Sequence, residues 1–585
     1  MGRRWQLSSL LKENKISACK AFVLDKISFS YRDSDSLVLE DLTLECQEGE
    51  WLVIIGRNGS GKSTLLKILN ALLEPKRGVY HVWGLDASVT ENIANVRRQA
   101  AMVFQNPESQ IVGVTVEDDA AFALENQCLP LDDMERRVAF GLEKTGLLSK
   151  RKCSVNSLSG GEKQRLTLAG AIAQGAKMFL LDEATSMLDS NGREEILSLF
   201  KELHSEGHTI VQVTHNIEEV RYADRIVIID KGRLVWSGGR KEFFNNAEVL
   251  GFDLPICAQF ARGIGVDDIT DFDMIKARLF ELPRDDENVM RIMRLFGKRK
   301  DSGEWRVTSG EEKIKDKSED KSLDICFKTD SSIEVRELSH VYSDGASEKI
   351  ALDNVSLCIN RGQIISLTGH TGSGKSTLIQ YLNALYTIGD SLKGEVLFNG
   401  HNINIAPRDA RRKIGMVFQF PEHQLFAQTV REELTFALKN WEIPFSDHAE
   451  RINEAIERVG IPASMLERSP FTLSGGEMKA VCIASVLVTK PLWLILDEPV
   501  AGLDSKAKRE LLSLLINLKS SGAGILIVTH DLEFALLNSD RIIVLNEGKL
   551  VCDDVPEAAA KFLHQSGVLR LPDIVELWVK TGIRD

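Results

Sequence analysis

Short, mainly apolar runs recur in the first half of the chain, at positions 51–55, 178–181, 210–213 and 226–229. The segments between them are longer, and one of them, 163–175, carries its apolar residues at helical spacing. Short apolar runs that alternate with helices are typical of strands buried on both faces of a parallel sheet. The pattern therefore predicts an α/β fold.

The same pattern returns in the second half, where apolar runs occupy 364–367, 493–496, 525–528 and 542–545. Polar landmarks keep their spacing, since Lys375 follows Lys62 by 313 positions (375 − 62) and His530 follows His215 by 315 (530 − 215). Self-similarity at a nearly fixed offset indicates a repeated structural unit. The chain is therefore predicted to be a tandem duplication.

Weaker patterns complete the predicted units. Strand-like segments lie at 22–24 and 27–31, and a charged, helix-rich region extends over 92–152. Between 297 and 321 there are eight basic and seven acidic residues with little apolar content, which predicts a flexible tether. The predicted division is an N-terminal tail at 1–19, a first domain at 20–241, a helical appendage at 242–296, a charged linker at 297–322, a second domain at 330–555 and a C-terminal helical appendage at 556–585.

Composition narrows the class of protein. The 585 residues carry a net charge of −13, which disfavours a nucleic-acid partner because such a partner normally requires a basic face. Nine cysteines occur without a C-x-x-C pair, so we expect reduced, mostly buried thiols and no zinc site. No apolar run approaches the roughly 18–20 residues that cross a bilayer. Any membrane role is therefore expected to depend on partner chains.

A G-x-x-x-x-G-K-S sequence occurs at 56–63 and again at 369–376, each time between a strand pattern and a helix pattern. Glycines let backbone N–H groups turn inward around phosphates, the lysine reaches the β- and γ-phosphates, and the serine hydroxyl can ligate Mg²⁺. The two loops predict two nucleoside triphosphate sites. The residues assigned to them are Gly56, Asn58, Gly59, Gly61, Lys62, Ser63 and Thr64, and Gly369, Thr371, Gly372, Gly374, Lys375, Ser376 and Thr377.

An Asp-Glu pair follows a strand pattern in each half, 120 positions after the loop lysine in the first (182 − 62) and 122 in the second (497 − 375). Such a pair alone is more often a plain helix start, but its recurrence at matched distances favours a site. An aspartate beside the phosphates can hold Mg²⁺, and the adjacent glutamate can polarise the attacking water. Asp182 and Asp497 are therefore assigned to the metal, and Glu183 and Glu498 to catalysis.

Two further signals recur in both halves. His215 and His530 lie at the ends of matched strands, where ligands bind in open α/β sheets, so we expect them to contact the γ-phosphate. Leu-Ser-Gly-Gly-Glu also occurs twice, and it is either a helix cap or a second anion site that serves the nucleotide held by the other half. Its candidate residues are Ser159, Gly160 and Gly161, and Ser474, Gly475 and Gly476.

Together these motifs resemble those of ATP-binding-cassette (ABC) ATPases over nearly all of both halves. The resemblance extends to D-loops at 186–189 and 501–504, and to Gln105 and Gln419, which match the Q-loop residues that join the Mg²⁺ shell and act in catalysis. It implies two tandem P-loop nucleotide-binding domains, each with a helical subdomain, that pack head to tail as an intramolecular pseudodimer and sandwich two ATPs with Mg²⁺.

The resemblance also implies how the sites are shared. Lys62 would share one ATP with Ser474 and Gly476, and Lys375 the other with Ser159 and Gly161. Tyr31 and Tyr342 match the aromatic residue that stacks on adenine, the alternative being an ordinary strand tyrosine. Lys479-Ala480 departs from Gln164-Arg165 of the first half, which puts the packing of the helix behind the second signature in doubt.

Short motifs around the two Q-loop glutamines indicate a subfamily. The Q-loop region at 418–426 and the regions at 104–110 and 116–119 look like those of the two different ATPases of energy-coupling factor (ECF) transporters. The chain is then similar to both A-components fused in one chain, peripheral at the cytoplasmic face of the membrane. Such modules take up vitamins or transition-metal ions through a transmembrane T-component and substrate-binding S-components. Basic T-component residues are expected to meet Glu108, Asp118, Glu422 and Glu432, whose alternative is a solvated helix face.

Two alternatives stay open. The chain could be the ATPase of another ABC transporter, or a soluble tandem-ABC translation factor. The second is disfavoured because a translation factor would normally carry a long basic linker, whereas this linker is charge-balanced. The sequence does not choose the cargo, because cargo contacts are expected to lie on partner chains.

Overall fold

In the computed structural model of the chain, the described residues are 20–31, 36–186, 188–261, 264–266, 268–282, 286, 332–343, 348–386, 393–503, 505–572, 575, 576, 578 and 579. The predicted tail at 1–19 and linker at 297–322 lie outside this set, as do Met187 and Asp504 of the predicted D-loops. The chain forms two compact units. The first comprises the described residues up to Leu188 with Gly192–Ala258 and Asp268–Asp271, and the second comprises the remainder.

The first unit contains two sheets. Its described strands are β1 Lys20–Phe29, β2 Leu39–Gln47, β3 Trp51–Ile55, β4 Arg77–Val82, β5 Leu85–Asp86, β6 Ala100–Val103, β7 Met178–Asp182, β8 Thr209–Val213, β9 Arg225–Asp230 and β10 Arg233–Gly239. Six of them form the central sheet in the order β10-β9-β3-β8-β7-β6, with only the β10 and β9 pair antiparallel.

The helices of the first half of the chain lie between and after these strands. They are α1 Lys62–Leu69, α2 Thr90–Gln99, α3 Val116–Glu125, α4 Leu131–Lys144, α5 Gly160–Gln174, α6 Ser190–Ser205, α7 Arg240–Asn246, α8 Ile256–Ala261 and α9 Phe272–Glu281. Every residue of β3, β7 and β8 is buried, as expected for strands covered on both faces. The parallel-sheet prediction is confirmed.

Two predictions for the first half are corrected by the structure. The segments at 22–24 and 27–31 belong to one strand, β1, which ends at Phe29 and contains a bulge where Lys26 has a φ of 50°. The bulge breaks the apolar alternation, which is why the sequence shows two pieces. The helix-rich region at 92–152 also contains strand β6, whose four buried residues are too few to give a periodic signal.

A second sheet was not predicted at all. Strands β2, β1, β4 and β5 form a four-stranded antiparallel sheet in that order. Its apolar face packs with the central sheet in one core that includes Phe22, Leu24, Leu44, Ile54 and Leu180. The first unit is therefore mixed in strand direction, although its central sheet is almost wholly parallel.

The second unit repeats this architecture. Its described strands are β11 Ile333–Ser343, β12 Glu348–Ile359, β13 Ile364–Gly369, β14 Lys393–Phe398, β15 His401–Asn402, β16 Ile414–Val417, β17 Trp493–Asp497, β18 Gly524–Val528, β19 Arg541–Asn546 and β20 Lys549–Asp554. The central sheet has the order β16-β17-β18-β13-β19-β20, and β12-β11-β14-β15 form the antiparallel sheet. Strand for strand this is the order of the first unit, so the tandem duplication is confirmed.

The helices of the second half follow the same plan. They are α10 Lys375–Leu382, α11 Pro407–Lys413, α12 Val430–Asn440, α13 Phe445–Arg458, α14 Gly475–Leu487, α15 Ser505–Ser520, α16 Leu532–Asn538 and α17 Pro556–Ser566. Among the described residues, no helix is long and apolar enough to cross a bilayer. Helices α8, α9 and α17 lie in the stretches predicted as helical appendages.

The cysteine prediction is wrong in part. Cys358 is disulfide-bonded, so not every thiol is reduced. Of the free cysteines, Cys46 and Cys482 are buried, whereas Cys128 and Cys153 are exposed. Sequence spacing carries no information on these long-range neighbours, which decide both burial and pairing.

Strand order places three loops of each unit together. In the first unit β3 lies next to β8, and β8 lies next to β7, all in parallel. Their carboxyl ends therefore meet at one edge of the sheet, where ligands bind in open α/β folds. The phosphate loop follows β3, the Asp-Glu pair ends β7, and the histidine follows β8.

The central sheet should be the main source of stability in the first unit. Leu180 is fully buried at the middle of β7, so Leu180→Ala should lower the free energy of unfolding by about 2–5 kcal/mol. Leu131, which is 65% exposed, provides the control, and Leu131→Ala should change it by less than about 0.5 kcal/mol. Urea unfolding followed by tryptophan fluorescence measures both. Equal unfolding midpoints for the two variants would contradict this account of the core.

Candidate active sites

The phosphate loop of each unit has a backbone that only glycine can supply. Gly56 and Gly61 adopt φ values of 154° and 99°, and Gly369 and Gly374 adopt 150° and 99°. A Cβ at Gly56 would lie 2.1 Å from the carbonyl oxygen of Ile229. Strand β9 therefore presses against the start of the loop, and the chain turns tightly enough to direct N–H groups inward.

The loop lysines point back over their own loops. Lys62 is buried, and its Nζ donates to the carbonyl oxygens of Gly56 and Arg57 at 2.9 Å each. Lys375 donates in the same way to Gly369 and His370 at 2.8 Å. Burial lowers the pKa of Lys375, against the opposing effect of Glu498. Each ammonium group thus lies against the carbonyl oxygens of its own loop, and its contact with the β- and γ-phosphates stays a prediction.

The predicted metal ligands of the first unit are in contact. Ser63 Oγ donates to Asp182 Oδ1 at 2.9 Å. Burial raises the pKa of Asp182 to about 6, and burial together with the neighbouring Glu498 raises the pKa of Asp497 to about 7. A divalent cation would offset this cost of a buried carboxylate. Hydroxyl and carboxylate oxygens are the donors that Mg²⁺ prefers, so the donor set fits that ion.

The two predicted catalytic glutamates share an unusual backbone. Glu183 and Glu498 have φ values of 49° and 48°, in the left-handed region that non-glycine residues rarely adopt. Their N–H groups donate to Val213 and Val528 on the adjacent strand at 3.0 and 2.9 Å. Such strain persists only where the surrounding structure fixes it, and it is concentrated at functional sites.

Each glutamate contacts the predicted histidine. His215 Nε2 lies 2.9 Å from Glu183 Oε1, and His530 Nδ1 lies 2.9 Å from Glu498 Oε1. Burial opposes ionisation of Glu498, but the charge and hydrogen bond of His530 leave its pKa lowered overall. The pairing keeps the carboxylate ionised, as a group that accepts a proton from water must be.

The Q-loop glutamines differ between the units. Gln105 Nε2 donates to Glu183 Oε2 at 2.9 Å, so glutamine, glutamate and histidine form one cluster in the first unit. Gln419 is half-buried two residues beyond β16, and within the described residues it makes no hydrogen bond to Glu498. The structure therefore brings together all three predicted catalytic groups in the first unit but only two in the second.

The signature serines begin helices, as the helix-cap alternative requires. Ser159 and Ser474 are the N-caps of α5 and α14, and each forms a reciprocal capping box with Glu162 or Glu477. Around Gly160, Gly475 and Gly476 an added Cβ would meet no heavy atom within 4 Å, whereas at Gly161 it would meet Leu188 at 3.3 Å. The capping role is thus shown, and a role in binding the opposite nucleotide stays a prediction.

The two tyrosines predicted to stack on adenine lie beside the phosphate loops. Tyr31 is 44% exposed and Tyr342 is 42% exposed. Their hydroxyls lie 3.1 and 3.2 Å from the Oγ1 atoms of Thr64 and Thr377, at the start of α1 and α10. This fixes one edge of each ring near the loop and leaves ring surface open to solvent, which is compatible with stacking on a base.

One residue of the second site was not identified from the sequence. Lys479 Nζ donates to the carbonyl oxygens of Glu498, Pro499 and Ala501 at 3.2, 3.2 and 2.7 Å. It therefore ties the signature helix to the segment that follows the catalytic glutamate. At the matched position of the first unit, Gln164 instead donates to Phe104 at 3.4 Å. The difference between Gln164 and Lys479 was the sequence signal that could have identified this residue. In the structure it corresponds to three hydrogen bonds that attach helix α14 to the segment after Glu498.

Comparison with known proteins gives a consistent result. The ABC transporter family profile matches residues 39–186 and 352–501. The chain is 31% identical over 546 residues to a protein of Methanosarcina acetivorans, covering 91% of this chain and 85% of that one. It is 34% identical over 541 residues to BL0043 of Bifidobacterium longum, covering 89% of this chain but only 64% of the relative. Both relatives are assigned as ABC transporter ATP-binding proteins.

One solved structure also matches. It is cbiO1 from Clostridium perfringens, described as part of the ABC transporter complex cbiONQ. The sequences are 30% identical, and the match covers 42% of this chain and 96% of that chain with a TM-score of 0.38.

The catalytic glutamates give the first test of the sites. Glu183→Gln and Glu498→Gln should each lower ATP turnover at the affected site by about 10²–10⁴-fold, because the amide cannot accept a proton from water. Steady-state phosphate release by the purified chain measures this, with Glu477→Gln, a capping residue, as a control for loss of a carboxylate. Undiminished turnover in Glu183→Gln would show that the base is assigned wrongly.

The Lys479 contacts give a second test. In a Glu183→Gln background, which leaves only the second glutamate intact, Lys479→Gln should lower turnover by about tenfold, since hydrogen bonds to a charged group are lost. Lys506→Gln, at a mostly exposed lysine of the same unit, should leave turnover unchanged. If the two lysine variants behave alike, Lys479 does not hold the catalytic segment.

Proposed function

The chain belongs to the ABC transporter family as an ATP-binding ATPase, and we propose that it is the energy-coupling subunit of an ECF-type importer for vitamins or transition-metal ions. In this proposal it works through a transmembrane T-component with S-components that bind the cargo. It lies at the cytoplasmic face of the membrane as a peripheral subunit. The glutamate and histidine that pair in each unit would support hydrolysis at both ATP sites.

The observation that carries the proposal is the difference between the two Q-loop regions, since each is similar to that of a different ECF ATPase. In the second unit, Phe426 is the last residue of the Q-loop region, is 59% exposed, and packs on Phe436 with ring centroids 4.7 Å apart. Exposed apolar surface of this kind marks a site of protein interaction. In the first unit the matching region carries Val112 and Val114, which are 60% and 76% exposed.

These two exposed surfaces differ in shape and chemistry. The first presents the β-branched Val112 and Val114 together with Phe122, which is 49% exposed and is the seventh residue of α3 as Phe436 is of α12. The second has Phe426 in place of Val112, and this ring packs on Phe436. A single membrane partner with two different cytoplasmic segments could therefore bind each in one orientation only. This asymmetry supports one T-component per chain.

Two of the four acidic residues singled out in the sequence already have partners within the first unit. Glu108 is 58% exposed at its side chain but pairs with Lys163 at 2.6 Å. Asp118 caps its own helix through Thr115, which lowers the pKa of that carboxyl. The side chain of Glu422 lies outside the described residues, and Glu432 is exposed near the start of α12, where its backbone N–H donates to Thr429. We therefore assign the main docking role to the apolar surfaces.

The residues of the phosphate loops and the Asp-Glu pairs suggest how ATP would be hydrolysed. The loop N–H groups and Lys62 or Lys375 would hold the phosphates, and Ser63 with Asp182 would hold Mg²⁺, which offsets phosphate charge when bound. Glu183 or Glu498 would orient water and accept its proton as the bond to the γ-phosphate breaks. We further propose that the two units pair head to tail, so that each signature helix closes the ATP of the opposite unit.

A second candidate keeps transport but replaces the ECF system with another ABC transporter. Both relatives named above are assigned only as ABC transporter ATP-binding proteins, which fits either system. The two candidates predict different partners. A T-like protein with several small hydrophobic partners supports a shared ECF module, whereas a symmetric pair of membrane subunits supports the other system.

The test is to tag the chain, extract it gently from native membranes and identify what co-purifies. Replacing both Phe426 and Phe436 with serine should weaken recovery of the membrane partner by about 30-fold or more, because buried aromatic anchors dominate such interfaces. Ile405→Ser, at an 85% exposed position in the same unit, is the matched control, and thermal unfolding verifies folding. Recovery of ribosomes, or of no membrane protein, would refute the transport proposal.

A further inference from the structure

A buried carboxylate lies behind the catalytic cluster of the first unit. Glu219 begins a short 3-10 turn and is 1% exposed. Its two oxygens accept hydrogen bonds from Thr185 Oγ1 at 2.7 Å, Gln212 Nε2 at 2.7 Å and Thr214 Oγ1 at 2.9 Å. Trp51 Nε1 extends the cluster by donating to Gln212 Oε1 at 3.1 Å.

The partners of Glu219 connect it to both catalytic segments. Thr185 lies two residues after Glu183, and Thr214 immediately precedes His215. The Thr214 hydroxyl also accepts from the N–H of Asn216, which fixes the turn on the other side of the histidine. One carboxylate therefore bridges the segments whose side chains meet at 2.9 Å in the catalytic pair.

A carboxylate in this position is costly. Burial raises the pKa of Glu219, and the nearest described cationic atom, Arg193 Nε, is 4.0 Å away. Replacing buried ionic groups with well-packed apolar residues is often neutral or stabilising in proteins. Stability of the fold alone is therefore a weak explanation for Glu219.

The second unit has apolar residues at the positions that match Glu219 and its hydrogen-bond partners Thr185 and Gln212. The residues 315 positions after Glu219, Thr185 and Gln212 are Phe534 (534 − 219), Val500 (500 − 185) and Ile527 (527 − 212). All three are buried in one hydrophobic cluster, together with Ile364, which follows Trp51 by 313 positions (364 − 51). The same fold therefore forms without the carboxylate or its hydrogen bonds.

We propose that Glu219 is a positioning residue of the first ATP site, which holds Glu183 and His215 in mutual register through Thr185 and Thr214. The inference rests on the ATPase activity within the proposed function. Different interactions would then hold the catalytic segments of the two sites. In the first site they are held by a hydrogen-bonded carboxylate, and in the second by apolar packing together with the Lys479 contacts. Glu219 itself touches no predicted phosphate or metal ligand.

The test separates the two sites. Glu219→Gln keeps the size of the side chain but replaces one acceptor oxygen with a donor. In a Glu498→Gln background it should lower kcat roughly 10-fold to 100-fold with little change in the KM for ATP, because displaced catalytic groups slow the reaction without weakening nucleotide binding. In a Glu183→Gln background, where only the second base is intact, it should change turnover less than about twofold.

A triple variant distinguishes positioning from packing. Thr185→Val, Gln212→Ile and Glu219→Phe together reproduce the residues of the second unit. This variant should fold with a Tm close to that of the parent but should lose first-site kcat to the same extent as Glu219→Gln. First-site turnover that stays at the parental level would overturn the proposal, since the cluster would then be packing alone.

A third pair of variants applies if either of these fails to fold. Thr185→Ser retains the hydroxyl and should keep kcat, whereas Thr185→Val loses one hydrogen bond to Glu219 and should lower kcat in the Glu498→Gln background and in the otherwise native chain. Equal kcat for these two variants would refute the role of Glu219. Membrane co-purification tests the transport proposal independently, so failure of either proposal can be recognised without the other.

Discussion

The parallel pairing of β3 with β8 and of β8 with β7 is the constraint on which both candidate sites depend, together with its repeat in β13, β18 and β17. Parallel strands present their carboxyl ends at one edge of the sheet. The phosphate loop, the Asp-Glu pair and the histidine are far apart in the chain, yet each follows one of these strands. Pairing alone therefore places them side by side, and the buried side chains of the strands hold that register.

Within this frame, the catalytic glutamates are held in a conformation that a free chain would avoid. Glu183 and Glu498 occupy the left-handed region at nearly identical φ values, and each contacts its histidine at 2.9 Å. The geometry of the glutamate and histidine is thus the same in both units, but the interactions that hold it differ. Glu219 bridges the segments in the first unit, whereas Phe534 and Lys479 occupy the corresponding regions of the second. Duplicated sites can share a geometry that different interactions maintain.

The surfaces of the two units have diverged in the same manner. Both units carry an exposed phenylalanine on the helix after the Q-loop, Phe122 and Phe436, but Val112 of the first unit is replaced by Phe426 in the second. Cores must pack closely, so a duplicated core keeps its pattern, while surfaces are free to adapt to different partner segments. The two units therefore combine similar cores with different exposed surfaces.

The α/β class, the duplication, the phosphate loops and the matched Asp-Glu pairs and histidines could be read from the sequence, because these depend on local order and fixed spacing. It did not reveal the antiparallel sheet, the bulge at Lys26 or strand β6, whose signals are short or interrupted. Only the tertiary structure showed that Gln105 reaches Glu183, and that Glu219 and Lys479 brace their loops. The contacts of Gln105 with Glu183, of Thr185 with Glu219 and of Lys479 with Ala501 join residues 78, 34 and 22 positions apart. Only packing of the folded chain selects among such partners.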